Sequence, residues 1–327
     1  MNDTVSPKRA DTILKVAFID HHLNNYHADT FLNLLRNDLG AEGTEIVAAW
    51  ESDPTGDDWC AKNGVMRAAS LREAVDAADA VMLLAPNNIE AHSALFSQIL
   101  PTGKPVFLDK MLALVPAEAR AIARAAKQHG TPIFSASALR FAVELDGTHL
   151  ASGKTPSDEA VARGAGDWEN YGVHTLSLAL ALMGTGVRRV IDTGTPSGRT
   201  VTLDYGNGRR ALVECRAAAN EWDVFGWSFA VRAAGSNRYT AATVTDYGGF
   251  YANLLREVVA FFRTGVSPVS MEEMLTVPAL LGAATCSQAQ SGIWLPIDLY
   301  GETAGEPSLP LSQYHPITAG QTGIVTV

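Results

Sequence analysis

Lys110 follows directly on the apolar run "PVFLD". An ammonium group placed there has to reach water or a ligand, because a charge cannot stay inside a buried sheet. His174 lies in "NYGVHTLSLALALM", where Asn170, His174 and Ser177 fall on one face of a helix otherwise made of Leu, Val, Ala and Met. Histidine moves protons near neutral pH and lysine stabilises negative charge, so the two mark the positions where proton-transfer chemistry is expected. Each also has a plainer reading: a surface lysine whose stem lies along apolar surface, and a core histidine satisfied by backbone groups.

The elements that hold these residues begin in the first 137 positions, which alternate continuous apolar runs with helical patterns. The runs are "KVAFID" (15–20), "EIVAAW" (45–50), "AVMLLA" (80–85), "PVFLD" (105–109) and "PIFSAS" (132–137). Runs of this kind suit strands buried on both faces of a parallel sheet. Ser70 and Glu73 have capping-box spacing, while Pro116 and Gly130 stand where a helix would begin and end. The expected fold is α/β, a doubly wound Rossmann sheet over residues 1–137. From residue 138 a polar, linker-like stretch, "GTHLASGKTPSDEAVARGAGDWEN", leads into the apolar helix. Alternating runs with a Gly-Asn-Gly turn and two further helices follow, so an α+β domain with a mainly antiparallel, open-faced sheet is expected over 138–300. The Pro-, Gly- and Thr-rich residues 301–327 read as an extended arm.

Ligands of such sheets bind beyond the carboxyl ends of the strands. Those ends carry Asp20, His21, His22, Asn24 and Asn25 after the first run, and Glu51 after the second, where an acid commonly accepts ribose hydroxyls. Pro86, Asn87 and Asn88 follow the third, with His92 on the next helix, and Asp109 and Lys110 end the fourth.

Hydrophobic residues make up 47% of the 327 positions and charged residues 18%, which suits a soluble globular protein with a large core. A net charge of -10 without any basic run argues against a nucleic-acid partner. Cys60, Cys215 and Cys286 show no zinc or disulfide spacing, which fits a reducing compartment. The polar start and the lack of a long apolar run suggest a cytoplasmic protein with no membrane partner.

With these residues in place, the chain resembles the Gfo/Idh/MocA oxidoreductases. "GKPVFLDKMLA" is similar to their Glu-Lys-Pro segment and "NYGVH" to their Asp-x-Gly-x-His segment, and 18 residues separate His92 from Lys110, as between the corresponding family residues. "FYANLLREVVAFFRTG" and the helix after it resemble the family's closing helices, so the likeness runs from about Leu14 to Leu299. The resemblance implies a nicotinamide-binding domain, a sugar, cyclitol or related carbohydrate substrate, and a homo-oligomer formed through the C-terminal sheet. It implies that Lys110 hydrogen-bonds the reacting hydroxyl or carbonyl and also borders the cofactor, and that His174 is the general acid/base. Asn170 takes the place of the family's aspartate, and Asp109 that of the glutamate before the lysine. Asp20, His21, His22, Asn24, Glu51, Pro86, Asn87 and His92 would border the cofactor. Glu51 would repel a 2'-phosphate and no arginine follows closely, so NAD is expected ahead of NADP.

The departures fall on the same positions. No glycine occurs between Lys15 and Arg36, where a Gly-x-Gly-x-x-Gly turn would bring the backbone close to a pyrophosphate, so the chain reads as a divergent member lacking that loop. Asp109-Lys110-Met111 has lost the proline, and Asn170 the carboxylate. Three readings follow. One is a nicotinamide enzyme whose loop is rebuilt from His21, His22 and Asn24. Another is a cofactor-independent enzyme, an epimerase, lyase or hydrolase of a keto sugar, that uses His21, His22, His27 and His174. The third is a non-catalytic partner subunit. A metal held by the strand-one histidines is not expected, because their spacing fits no standard ligand set. Trp168, Trp222 and Trp227 are candidate platforms for a sugar ring.

Overall fold

The computed structural model describes residues 12–148, 157–217 and 226–301. Six parallel strands form the first sheet: β1 (Leu14–Asp20), β2 (Thr44–Glu51), β3 (Met66–Arg67), β4 (Ala80–Leu83), β5 (Val106–Asp109) and β6 (Ile133–Ala136), in spatial order β3-β2-β1-β4-β5-β6. All five apolar runs are strands of this sheet. Every residue of β4, β5 and β6 is buried, because helices cover both faces and no alternation is needed. The two exposed residues of β3 carry no such pattern, and the sequence gives no sign of them. Strand order reverses between β1 and β4, which opens a crevice beside the ends of β1, β4 and β5.

The helices of this half are α1 (Tyr26–Arg36), α2 (Trp59–Asn63), α3 (Leu71–Asp76), α4 (His92–Ile99) and α5 (Pro116–His129). Asn25 caps α1 by accepting the amides of His27 and Ala28. Ser70 caps α3 through the Glu73 amide, and the Glu73 carboxylate returns to Ala69. Pro116 opens α5 and Gly130, at φ 65°, closes it.

The second sheet has seven strands: β7 (Ser157–Ala165), β8 (Arg189–Asp192), β9 (Gly198–Gly206), β10 (Arg209–Arg216), β11 (Ser228–Ala233), β12 (Tyr239–Thr243) and β13 (Leu295–Pro296), in order β12-β11-β7-β10-β9-β8-β13. It is mixed but mostly antiparallel, since β7 runs parallel to β10. This corrects the linker reading of that stretch. Residues 149–156 lie outside the described residues, but Ser157–Ala165 is an interior strand whose buried positions are largely alanine and glycine, with Asp158, Glu159 and Arg163 between them. Small inward side chains and charged outward ones make a strand that looks polar in sequence. The Gly-Asn-Gly turn closes β9 on β10, with Gly206, Asn207 and Gly208 all at positive φ.

Helices α6 (Trp168–Met183) and α8 (Met271–Ala289) cover one face of this sheet, while α7 (Tyr247–Thr264) reaches back to pack on α1. That packing closes the crevice of the first sheet into a cleft between the two halves. Residues 302–327, and with them most of the expected arm, lie outside the described residues, as does Trp222. Among the described residues no helix is long and apolar enough to cross a membrane. The three cysteines are free, Cys60 and Cys215 in the core and Cys286 exposed.

Candidate active site

A cleft of about 390 Å³ lies between the two halves, lined by Tyr26, His27, Pro86, Asn87, Lys110, Ala138, Leu139, Tyr171, His174, Trp227, Tyr247, Phe250 and Tyr251. Its size suits one small ring-shaped ligand. Lys110 enters from the end of β5 with φ 66°, a left-handed conformation that costs a non-glycine residue about 1–2 kcal/mol. The turn directs the side chain inward, where Nζ donates to Pro86 O at 2.7 Å. Burial lowers the Lys110 pKa, while the carboxylates of Asp109 and Asp167 oppose that shift.

His174 projects from α6. Its Nδ1 lies 2.7 Å from Ser137 Oγ, and that hydroxyl oxygen already accepts the Leu139 amide. With the Ser137 hydroxyl as the donor to Nδ1, the ring proton sits on Nε2. Burial, then the charges of Lys110 and His27, hold the His174 pKa well below 6.5. At neutral pH the ring is an uncharged hydrogen-bond donor, set between Tyr171 and Trp227 with centroids 5.8 and 5.9 Å away.

On the opposite wall, His27 Nδ1 is bonded to the Asp109 carboxylate, and Nε2 lies 3.3 Å from Tyr251 Oη on α7. Asp109 is buried at the end of β5. The pair joins residues 82 positions apart, so spacing gives no hint of it. The aromatic wall of Tyr171, Tyr247, Phe250 and Tyr251 also escapes a reading of the sequence, since those residues look like ordinary helix positions there.

The first loop is organised around Asp20. Its Oδ1 accepts the backbone amides of His21 (2.7 Å), His22 (3.1 Å) and Ala85 (3.1 Å), and Oδ2 accepts Asn25 Nδ2 at 2.8 Å. Ala85 reaches this position at φ 41°. Burial pushes the Asp20 pKa up to about 7, against the hydrogen bonds from Asn25, His22 and His21. The next amide, Leu23 N, donates to Glu51 Oε2 at 2.7 Å, and Glu51 Oε1 accepts Arg67 Nη1 at 2.9 Å. The loops after β1 and β2 are then laced together. His21 Nδ1 meets Ser52 Oγ at 2.7 Å, His22 Nδ1 meets Asp53 O at 2.5 Å, and Asn24 Nδ2 donates to Thr55 O and Asp57 O. Nitrogens of His21 and His22 and a carboxylate oxygen of Asp53 come within 4.8 Å of one another, but both Nδ1 atoms already serve the lacing.

A dinucleotide on a sheet of this kind needs free amides and close backbone approach beyond β1, a free helix N-terminus, and a free acid beyond β2. Here Asp20 takes the first, Asn25 the second, and Leu23 with Arg67 the third. The residues at the pyrophosphate and adenosine-ribose positions do not fit a nicotinamide dinucleotide held in that way.

Of the expected site residues, Lys110, His174, Pro86 and Asn87 line the cleft, and Asp109 reaches it through His27. Asp20, His21, His22, Asn24 and Glu51 are gathered in the laced loops. Asn170 is exposed and turned to the helix cap, with Nδ2 donating to Asp167 Oδ1 at 3.0 Å, and it does not line the cleft. His92 is fully buried, with Nε2 3.0 Å from Leu84 O and Nδ1 beside Met111 O and Leu112 O, so it ties the ends of β4 and β5 together. Ser177 bonds back to Val173 O, and Trp168 is a core residue whose Nε1 donates to Leu281 O. Only Trp227 of the three tryptophans lines the cleft among the described residues.

A sequence comparison with curated proteins finds no match. Among solved structures, the fold is similar to a probable dehydrogenase from Thermotoga maritima (TM-score 0.72, 17% identity, covering 87% of this chain and 99% of that one). It is also similar to a putative myo-inositol dehydrogenase from Sinorhizobium meliloti 1021 (0.70, 15%, 87% and 100%). An oxidoreductase from Agrobacterium radiobacter, solved with NAD+, L-tartaric acid and magnesium, is a third (0.69, 15%, 88% and 99%). At these identities the likeness is one of fold. Residues 18–137 match the profile of the GFO_IDH_MocA oxidoreductase family, NAD-binding Rossmann fold. Over those residues the chain is similar to the NAD-binding Rossmann domain of the Gfo/Idh/MocA family.

Proposed function

We propose that this protein is an enzyme acting on a hydroxyl or keto group of a sugar- or cyclitol-like ring, and that its own side chains do the chemistry by proton transfer. One observation carries the reading: the amides and the acid that a dinucleotide would use are taken by Asp20, Asn25, Leu23 and Arg67, while Lys110 and His174 converge, free of those loops, in an aromatic-lined cleft. Tyr171, Trp227 and Phe250 offer faces for the C–H surface of a ring. A neutral imidazole donating from Nε2 and an ammonium group beside it polarise a substrate carbonyl and stabilise the oxyanion formed when a proton leaves the neighbouring carbon.

Nicotinamide-dependent dehydrogenation of the same class of substrate is the second reading, favoured by the family match and by Pro86 and Asn87 in the cleft wall. Titration of the purified protein with NAD(H) and NADP(H), followed by tryptophan fluorescence and calorimetry, separates the two. The first reading expects no saturable binding up to about 1 mM, and binding of 2-keto-myo-inositol that Lys110→Met weakens. Micromolar nucleotide binding would overturn it in favour of the second.

A further inference from the structure

Hydride transfer needs an acceptor beside the substrate carbon, and the loops that would hold one are filled. What the cleft offers on that side is His27. The geometry points to the His27–Asp109 pair as the base that takes a proton from the carbon next to the substrate carbonyl, making the site a carbon-acid centre with Lys110 and His174 on the oxygen. The inference rests on the reading above that a keto-bearing ring occupies this cleft.

Asp109 accepts from His27 Nδ1, so the ring's lone pair stands on Nε2, next to Tyr251 Oη. His27 lies in the first turn of α1, Asp109 at the end of β5 and Tyr251 on α7, so three separate elements fix one imidazole at the cleft wall. Packing alone would not select such a pair. The rings of Phe31 and Tyr251 stand 5.2 and 5.5 Å from that of His27, and an apolar side chain among them would avoid burying a carboxylate. Burial keeps Tyr251 protonated, so its hydroxyl donates to Nε2 until a substrate C–H takes that place.

The step balances without oxidant or reductant. The proton goes from carbon to His27 Nε2, and the C–H electron pair becomes the C=C bond of an enolate whose oxygen is held by Lys110 and His174. Replacement of the imidazolium proton from solvent and its return to the same face of that carbon gives exchange with retention. Departure of an oxygen substituent from the next carbon, protonated by the imidazolium, gives elimination.

The test is deuterium exchange. The full chain is incubated without nucleotide in deuterated water with 2-keto-myo-inositol or a 3-keto-glucoside, and the proton signals beside the carbonyl are followed by NMR. Enzyme-dependent loss of those signals is expected, and His27→Gln should slow it by about 10²–10⁴-fold while the dissociation constant for the probe stays within a few-fold. Asp109 acts through His27 as a positioning residue, so Asp109→Asn should lower kcat with KM unchanged. A structural role for either residue would instead lower the urea midpoint and weaken probe binding along with the rate. Wild-type rates in His27→Gln, or probe binding by the wild type with no exchange, would overturn the inference and leave the proposed substrate class standing. If the wild type binds neither probe, that substrate class falls and the inference falls with it.

Discussion

Replacing Asp20 with Asn should remove one component of the protein's pH-dependent stability. The buried carboxyl has its pKa raised from 3.8 to about 7, chiefly by loss of solvation, with the hydrogen bonds from Asn25, His22 and His21 opposing and the charge of Asp109 adding. A carboxyl with a folded pKa above its unfolded one holds more protons when folded. Its stabilisation is therefore fully present below pH about 4 and is lost as the pH rises through about 7. At about 1.4 kcal/mol per pH unit, the gap corresponds to about 4 kcal/mol in all, of which about 2–3 kcal/mol falls between about pH 5 and pH 8. Asp20→Asn keeps an oxygen for the amides of His21, His22 and Ala85 but turns an NH₂ towards Asn25 Nδ2, a loss of about 1 kcal/mol that does not vary with pH. Urea unfolding of both proteins across that range isolates the group, because every other titration cancels in the difference. Wild type minus variant should fall by about 2–3 kcal/mol from the acid to the alkaline end. A flat difference would refute the reasoning, and a rising one would mean that four donated hydrogen bonds outweigh burial and keep Asp20 ionised.

Two further substitutions separate ligand contacts from supports. Ala85→Gly should raise stability by about 1 kcal/mol, because the position sits at φ 41° and glycine has no Cβ penalty there; an unchanged urea midpoint would remove strain from the account of that turn. His92→Phe keeps the ring volume but removes the imidazole N–H from the carbonyls it faces. Because the neutral ring carries one N–H, the loss is one donated hydrogen bond, to Leu84 O from Nε2 or to the Met111 and Leu112 carbonyls from Nδ1; it should cost about 1–3 kcal/mol while leaving the probe's dissociation constant alone, and a change in affinity without a change in stability would make His92 a ligand contact after all.

The first sheet is legible in the sequence because its interior strands are buried on both faces and their composition announces it, as "AVMLLA" and "PVFLD" do. β7 is not, because alanine serves where larger apolar residues would have shown a period of two. The same contrast holds within the site. Lys110 and His174 stand out because each breaks an apolar context, a charge after a strand and an imidazole in a Leu-rich helix. His27 stands in a polar run that reads as loop and helix cap, and what distinguishes it from His21 and His22 is a contact with Asp109 made only when β5 lies beside α1. His92 shows the converse: family-like spacing placed it by a ligand, while the fold turned it onto backbone carbonyls.

The amides beyond β1 need partners, since a buried N–H without one costs about 1–3 kcal/mol. In a dinucleotide-binding protein the phosphates can supply them. Here Asp20 supplies them from within the chain. A pyrophosphate entering this site would have to displace a carboxylate from four hydrogen bonds and then part the contacts of His21, His22 and Asn24 with the loop after β2. Only the surplus over those contacts would appear as affinity. Among the described residues no comparable internal ligand fills the other end of the crevice, where Lys110, His174 and His27 border the cleft. On the function proposed above, the scaffold would keep the half of its crevice that meets the substrate and use the other half as structure, which would put the burden of the chemistry on the side chains of α1, β5 and α6.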